Sequence, residues 1–286
     1  MSLRKLPEAK TFQRPQNFQW DAPSDVLARW AEAGPLAAAA DESDNVITML
    51  EVIGEDWWTG GGVTAKRISA ALRSIGDRDV VVKINSPGGD MFEGIAIYNL
   101  LRAHKAKVTV EVLGWAASAA SIIAMAADEI RMGLGTFMMV HNAWGVVIGN
   151  RHDMREAADL FDGFDGAIAD IYEARTGMKR AEIEKLMDAE TFMGPSEAVE
   201  KGFADVVDDG IAQPAGAAKS LDRGLMARRQ TEAALARAGF TRDQRSELLT
   251  ELGATAAPRD ASRSPAARDA GIDPAAIRQL IATIRS

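Results

Sequence analysis

An α/β fold built on parallel strands is predicted by two observations. Short, near-continuous apolar runs rich in valine and isoleucine alternate with stretches whose apolar residues recur at helical spacing. Roughly a dozen or more residues separate successive runs, which suits crossover helices and not hairpins. Strands this apolar are expected to be covered on both faces. The elements follow in order. The run at 45–54, NVITMLEVIG, opens the compact part as a strand. A buried strand at 80–84 leads to a helix over 91–103, and a second strand covers 107–112. Small residues over 118–127 form a helix, 137–140 returns to strand, and helices cover 152–176 and 179–188.

Charge divides the chain. Residues 211–286 hold 12 Lys/Arg against 8 Asp/Glu, whereas the preceding 210 hold 21 against 33. The break falls near Asp208-Asp209-Gly210, before the Pro/Gly/Ala-rich IAQPAGAAKS. Three regions result. Residues 1–44 are Pro-punctuated and expected to be poorly ordered or ordered by a partner. Residues 45–210 form the compact domain. Residues 211–286 are a linker followed by short helices and a disordered stretch, ATAAPRDASRSPAARDAG.

Composition excludes several functions. The chain has no cysteine, so a disulfide framework, a thiolate metal site and a cysteine nucleophile are ruled out. A net charge of −8 argues against a nucleic-acid reader. The apolar run VLGWAASAASIIAMAA has 16 residues, short of the roughly 20 that span a bilayer. The N-terminus has no apolar stretch behind its positive charges and does not read as a secretory signal. An intracellular, cytoplasmic protein is expected. GGGVTAKR lacks the GK[ST] ending of a phosphate loop, so no nucleotide is expected, and neither a cofactor nor a metal.

Four segments could carry chemistry. Asn85-Ser86-Pro87-Gly88-Gly89-Asp90 lies between a strand and a helix, where proline and paired glycines can turn backbone N–H groups outward. The same segment also serves as a plain strand-to-helix turn. Gly114-Trp115-Ala116-Ala117-Ser118-Ala119-Ala120-Ser121 places serines at the first turn of a helix of small residues. Either Ser118 or Ser121 is then a helix cap or an exposed hydroxyl beside free N–H groups. His141 ends an apolar strand, as a near-core histidine or a base. His104 and His152 sit among charged residues and read as solvated. Asp188-Ala189-Glu190-Thr191-Phe192 offers a carboxylate to orient a histidine, or merely a solvated helix end.

The order NSPGGDMFEGIAIYNLL, GWAASAASIIAMAAD, MMVHNAWG, ETFMGPSEAVEKGFAD resembles the proteolytic subunit of the Clp protease, over roughly residues 45–207. The segments are most similar to the Clp-like head maturation (prohead) proteases of tailed phages and prophages. The resemblance implies a Clp/crotonase-like spiral of ββα units and a serine endopeptidase. It makes Ser118 the nucleophile and His141 the general base, with Gly89 N–H and Ala119 N–H as the oxyanion hole. Clp members place an aspartate third. Counting back from PSEAVEKG lands on Glu190 instead, with Asp188 the alternative third member. The resemblance also implies a polypeptide substrate and a homo-oligomer, as a ring or dimer. For a head maturation protease the substrate is capsid or scaffold protein and the place of action the procapsid. For a housekeeping subunit the partner is an ATP-dependent unfoldase. Two other readings are a hydratase or hydrolase of the crotonase-like superfold, and an inactive capsid scaffold that keeps the fold.

Overall fold

The structure is a computed structural model and describes residues 44–55, 61–145, 147 and 149–211, together with Thr231, Leu235, Arg245, Leu248 and Leu249, all five helical. The expectations for residues 1–43 and for most of the C-terminal extension lie outside the described residues. The chain separates into two compact units, residues 1–245 and 246–286.

Seven strands form the sheet: β1 (Val46–Met49), β2 (Val80–Ser86), β3 (Val108–Ala117), β4 (Glu129–Gly133), β5 (Phe137–Val140), β6 (Thr191–Met193) and β7 (Val206–Asp208). The path β1-β2-β3-β4-β7 is parallel throughout, as the alternating pattern predicts. Helices α1 (Ala65–Ile75), α2 (Met91–Arg102), α3 (Ala119–Ala124), α4 (Arg151–Thr176), α5 (Arg180–Asp188) and α6 (Pro195–Glu200) connect the strands. Their apolar sides and one sheet face make the core, with Tyr98, Ile123, Phe164 and Tyr172 among its fully buried side chains.

The second sheet face departs from expectation. Val82, Val110 and Ile130 pair across β2, β3 and β4 and are fully buried, while the next row, Lys83, Glu111 and Arg131, is half-buried. Alternation within the strands therefore leaves one charged, water-accessible face, where the near-continuous runs suggested cover on both sides. Four short elements also escaped the sequence reading: β4, β6, α6 and β7. They have three to six residues each, too few for periodicity to register. Helix α1 was missed for another reason, because its start is masked by the glycines before it. Thr64 caps it by accepting from Arg67 N–H.

Strand β3 is the hinge of the architecture. Its first half pairs with β4, residue 109 with 129 through 112 with 132. Its second half leaves that neighbour and pairs with β5, residue 115 with 137 through 117 with 139. Strand β5 then pairs antiparallel with β6. This switch brings the ends of β3, β5 and β6 to one place.

Candidate active site

Ser118 follows the last residue of β3 and precedes α3. Its backbone stands at φ 55°, ψ −127°, a region a non-glycine residue seldom adopts and one that marks functional turns. Its N–H donates to Met139 O at 2.9 Å, which continues the β3–β5 pairing by one step. Although it occupies the cap position of α3, its side chain makes no capping bond. Ser118 Oγ lies instead 2.7 Å from His141 Nε2. His141 comes directly after β5, so the parallel register that fixes Ser118 also carries the imidazole to it. Both side chains are nearly buried, at 9% and 8% exposure. With the proton on Nδ1, Nε2 is the acceptor and Ser118 the donor.

The turn after β2 approaches from the other side. The Ser86 hydroxyl donates to Glu51 O at 2.6 Å and accepts from Gly88 N–H at 3.2 Å. Ile53 N–H donates to Gly88 O, and Asp90 N–H to Ile53 O, both at 2.9 Å. In this parallel bridge Ile53 uses the groups before and after Gly89, so the N–H of Gly89 itself faces away from Ile53. Gly89, Ser118, Ala119 and His141 line one open cleft. Ala119 opens α3, so its N–H has no partner within the helix. Both glycines are obligatory. A Cβ on Gly89 would stand 2.1 Å from Ile53 O, and one on Gly88 would stand 2.6 Å from Ser118 Cβ.

The acidic side is looser. The β5–β6 register pairs Val140 with Thr191, and one further step sets His141 opposite Glu190. There the strand has ended. Glu190 is exposed at φ 48°, with its N–H bound to Met187 O, and among the described residues its carboxylate makes no hydrogen bond to His141. Asp188 is also exposed and accepts from Nδ2 of Asn142, the residue after His141, at 2.8 Å. The structure therefore brings Ser118, His141, Gly89 and Ala119 together and leaves both candidate third carboxylates at the rim.

A third acid was missed. Asp165 of α4 accepts Ala143 N–H at 2.5 Å, two residues beyond His141. Burial pushes its carboxyl up to about 6, opposed by the Ala143 hydrogen bond and reinforced by Asp162 and Asp188. Its spacing to Ile168 and Tyr172 puts it on the buried side of α4, a signal present in the sequence but not read. One histidine needs correcting. His104 is buried at 8% exposure with Nε2 2.7 Å from Arg78 O, because it turns back under the helix end, whereas His152 is exposed as read. Just before α1, Gly62 N–H is bound to the Glu51 carboxylate at 3.1 Å. Among the described residues no three His, Asp or Glu side chains converge as a metal site requires, and no helix is long and apolar enough to cross a membrane.

Comparison with known proteins adds the wider relationship. The Clp protease family model matches residues 63–210. A protein of Deinococcus radiodurans named ATP-dependent Clp protease proteolytic subunit is 32% identical over 135 residues, 46% of this chain and 66% of that protein. A Prochlorococcus marinus protein, ATP-dependent Clp protease proteolytic subunit 1, is 32% identical over 152 residues, 51% of this chain and 78% of its own length. The solved structure of a point mutant of ClpP1 from Listeria monocytogenes superposes with a TM-score of 0.50 at 22% identity, covering 59% of this chain and 95% of that one. At that identity the likeness speaks for the fold, which is of the Clp/crotonase-like α/β type.

Proposed function

Because this chain belongs to the Clp protease family, we propose that it is a serine endopeptidase in which Ser118 is the nucleophile and His141 the general base. The observation that carries the reading is the 2.7 Å contact of Ser118 Oγ with His141 Nε2 at the mouth of the cleft. Ser118 Oγ attacks the scissile carbonyl while His141 takes its proton. Gly89 N–H and Ala119 N–H receive the oxyanion of the tetrahedral intermediate, a contribution of about 3–4 kcal/mol per donor in serine proteases. His141 then returns the proton to the leaving amine, and water hydrolyses the acyl-enzyme. Met91, Ile122 and Ile168 give the cleft an apolar wall for the side chain beside the scissile bond. Glu190, by its register opposite His141, is the third member in this reading, with Asp188 the alternative.

The substrate is a polypeptide, and the chain works as a homo-oligomer. We further infer a head maturation role, with capsid or scaffold protein as substrate. The phage-like motif order supports this, as does a basic extension beyond residue 210 that the family match does not include. A second reading has its own support in the names of the relatives, ATP-dependent proteolytic subunits, which imply an unfoldase partner. One experiment addresses all three. Full-length wild type and Ser118→Ala are incubated with a fluorophosphonate probe, then with coat and scaffold proteins, then with an unfoldase, ATP and a folded substrate, and followed by intact mass. Labelling and cleavage by wild type alone support the peptidase. Equal labelling of both rejects Ser118, and an unlabelled wild type favours an inactive scaffold. Cleavage of coat protein without ATP favours maturation, and cleavage only with ATP and unfoldase favours the second reading.

A further inference from the structure

Ser118 holds an unfavourable backbone conformation, and its neighbours must over-determine it for the hydroxyl to stay on His141. Its carbonyl is the most heavily bonded group of the turn. It accepts Ser121 N–H at 2.9 Å, Ile122 N–H at 3.3 Å and the Ser121 hydroxyl at 2.6 Å. The Ser121 hydroxyl in turn lies 2.8 Å from the Tyr172 hydroxyl. Proton counting fixes the direction of this chain. A carbonyl oxygen only accepts, so the one hydroxyl proton of Ser121 is committed to Ser118 O, and Tyr172 must be the donor to Ser121 Oγ.

We propose that the Tyr172–Ser121 hydroxyl relay is a positioning device that holds the Ser118 turn in its reactive conformation, so that α4 sets the aim of the nucleophile. The inference rests on the reading of Ser118 as nucleophile. Ser121 and Tyr172 are 0% and 1% exposed, so no water replaces a lost partner, and each hydrogen bond acts in a dry surrounding. Burial also drives the Tyr172 hydroxyl above its ordinary range, which keeps the donor protonated. Two further contacts tie the relay to its surroundings. Tyr172 lines the same cleft as Ser118 and His141, and its ring lies 5.4 Å from that of Phe203. A side chain seated in the cleft therefore presses on the residue that holds the nucleophile. Neither hydroxyl touches the reacting atoms, so both are positioning residues.

The test uses full-length Tyr172→Phe, Ser121→Ala and the double variant. Three quantities are read: the rate of fluorophosphonate labelling, the melting temperature, and the ring-proton NMR signals of His141. The relay predicts labelling about tenfold slower in each single variant, the equivalent of one hydrogen bond. It also predicts that the double variant is no slower than Ser121→Ala, because Tyr172 acts only through Ser121. The His141 signals shift in all three as Ser118 Oγ leaves the ring. Folded variants that label at the wild-type rate, or losses that multiply in the double variant, overturn the relay. If wild type is not labelled at all, the nucleophile reading fails, and the NMR signals still decide: unchanged His141 signals overturn the relay, and shifted ones sustain it. Tyr172→Phe removes one oxygen atom and keeps the ring, so it tests the relay should Ser121→Ala fail to fold.

Discussion

Two helices of this molecule begin at the carboxyl ends of neighbouring parallel strands, and they begin differently. At α2 the cap is Asp90, whose carboxylate accepts Phe92 N–H at 2.9 Å and Glu93 N–H at 3.3 Å. At α3 the cap position holds Ser118, whose hydroxyl ignores the helix and goes to His141. The first arrangement satisfies the free N–H groups of a helix start from within the chain. The second leaves the Ala119 N–H open beside the Ser118 hydroxyl and tolerates a left-handed backbone to do so. Where a helix start is capped, the structure gains stability; where the cap residue turns away, a helix N–H stays open beside the Ser118–His141 pair.

The comparison can be broken from several directions. The largest effect is expected at the Gly88-Gly89 turn, which sits between the two helices. Gly89→Ala puts a Cβ into Ile53 O at φ 148°, so cleavage should fall at least about a hundredfold, the cost of one oxyanion donor, and the melting temperature should fall with it. Kinetics at the wild-type level in this variant would remove Gly89 from the site. Next come the rim carboxylates. Glu190→Gln should lower kcat by about tenfold or more, with Asp188→Asn the milder change. The reverse order, measured side by side, would move the orienting role to Asp188.

A smaller effect belongs to the capped helix. Asp90→Ala should cost about 1 kcal/mol of stability in thermal or urea unfolding. A loss no larger than that of a surface substitution would mean that the cap contributes little. The smallest effect concerns Asp165. Its carboxyl is raised to about 6 from 3.8, so the folded protein holds that proton more tightly than the unfolded chain. The stability this proton contributes is present below about pH 4 and is lost as pH rises to about 6. Asp165→Asn, neutral throughout, should flatten the melting temperature against pH across that window and raise it slightly at pH 7.5. A pH dependence as steep as in wild type would assign the effect to other carboxylates.

Legibility differed with the length and regularity of each element. The strands at 80–84 and 137–140 and the helices at 91–103 and 152–176 appear nearly as their periodicity predicts, because long amphipathic or apolar runs carry their own signal. Strand β3 runs five residues further than the apolar pattern alone suggested, reaching Ala117, because β5 supplies a second partner that no local pattern records. His104 looked solvated beside Lys105 yet lies buried, since a helix end can fold its histidine inward onto a carbonyl. Asp165 went unread because it is one of five aspartates on a long helix, and an aspartate there is usually on the wet side.

By itself the sequence determined the α/β class, the family, and three segments that meet at the cleft, those of Gly89, Ser118 and His141, because periodicity and residue order are properties of the chain. Tertiary structure alone decided which atoms meet. The switch of β3 from β4 to β5 sets Ser118 against His141, and the bridge to Ile53 turns Gly89 N–H away from Ile53. The packing of α4 joins Tyr172 to Ser121. Those contacts join residues up to 51 positions apart, and a distance of that kind is set by how sheets and helices pack, not by any pattern that neighbours in the chain can express.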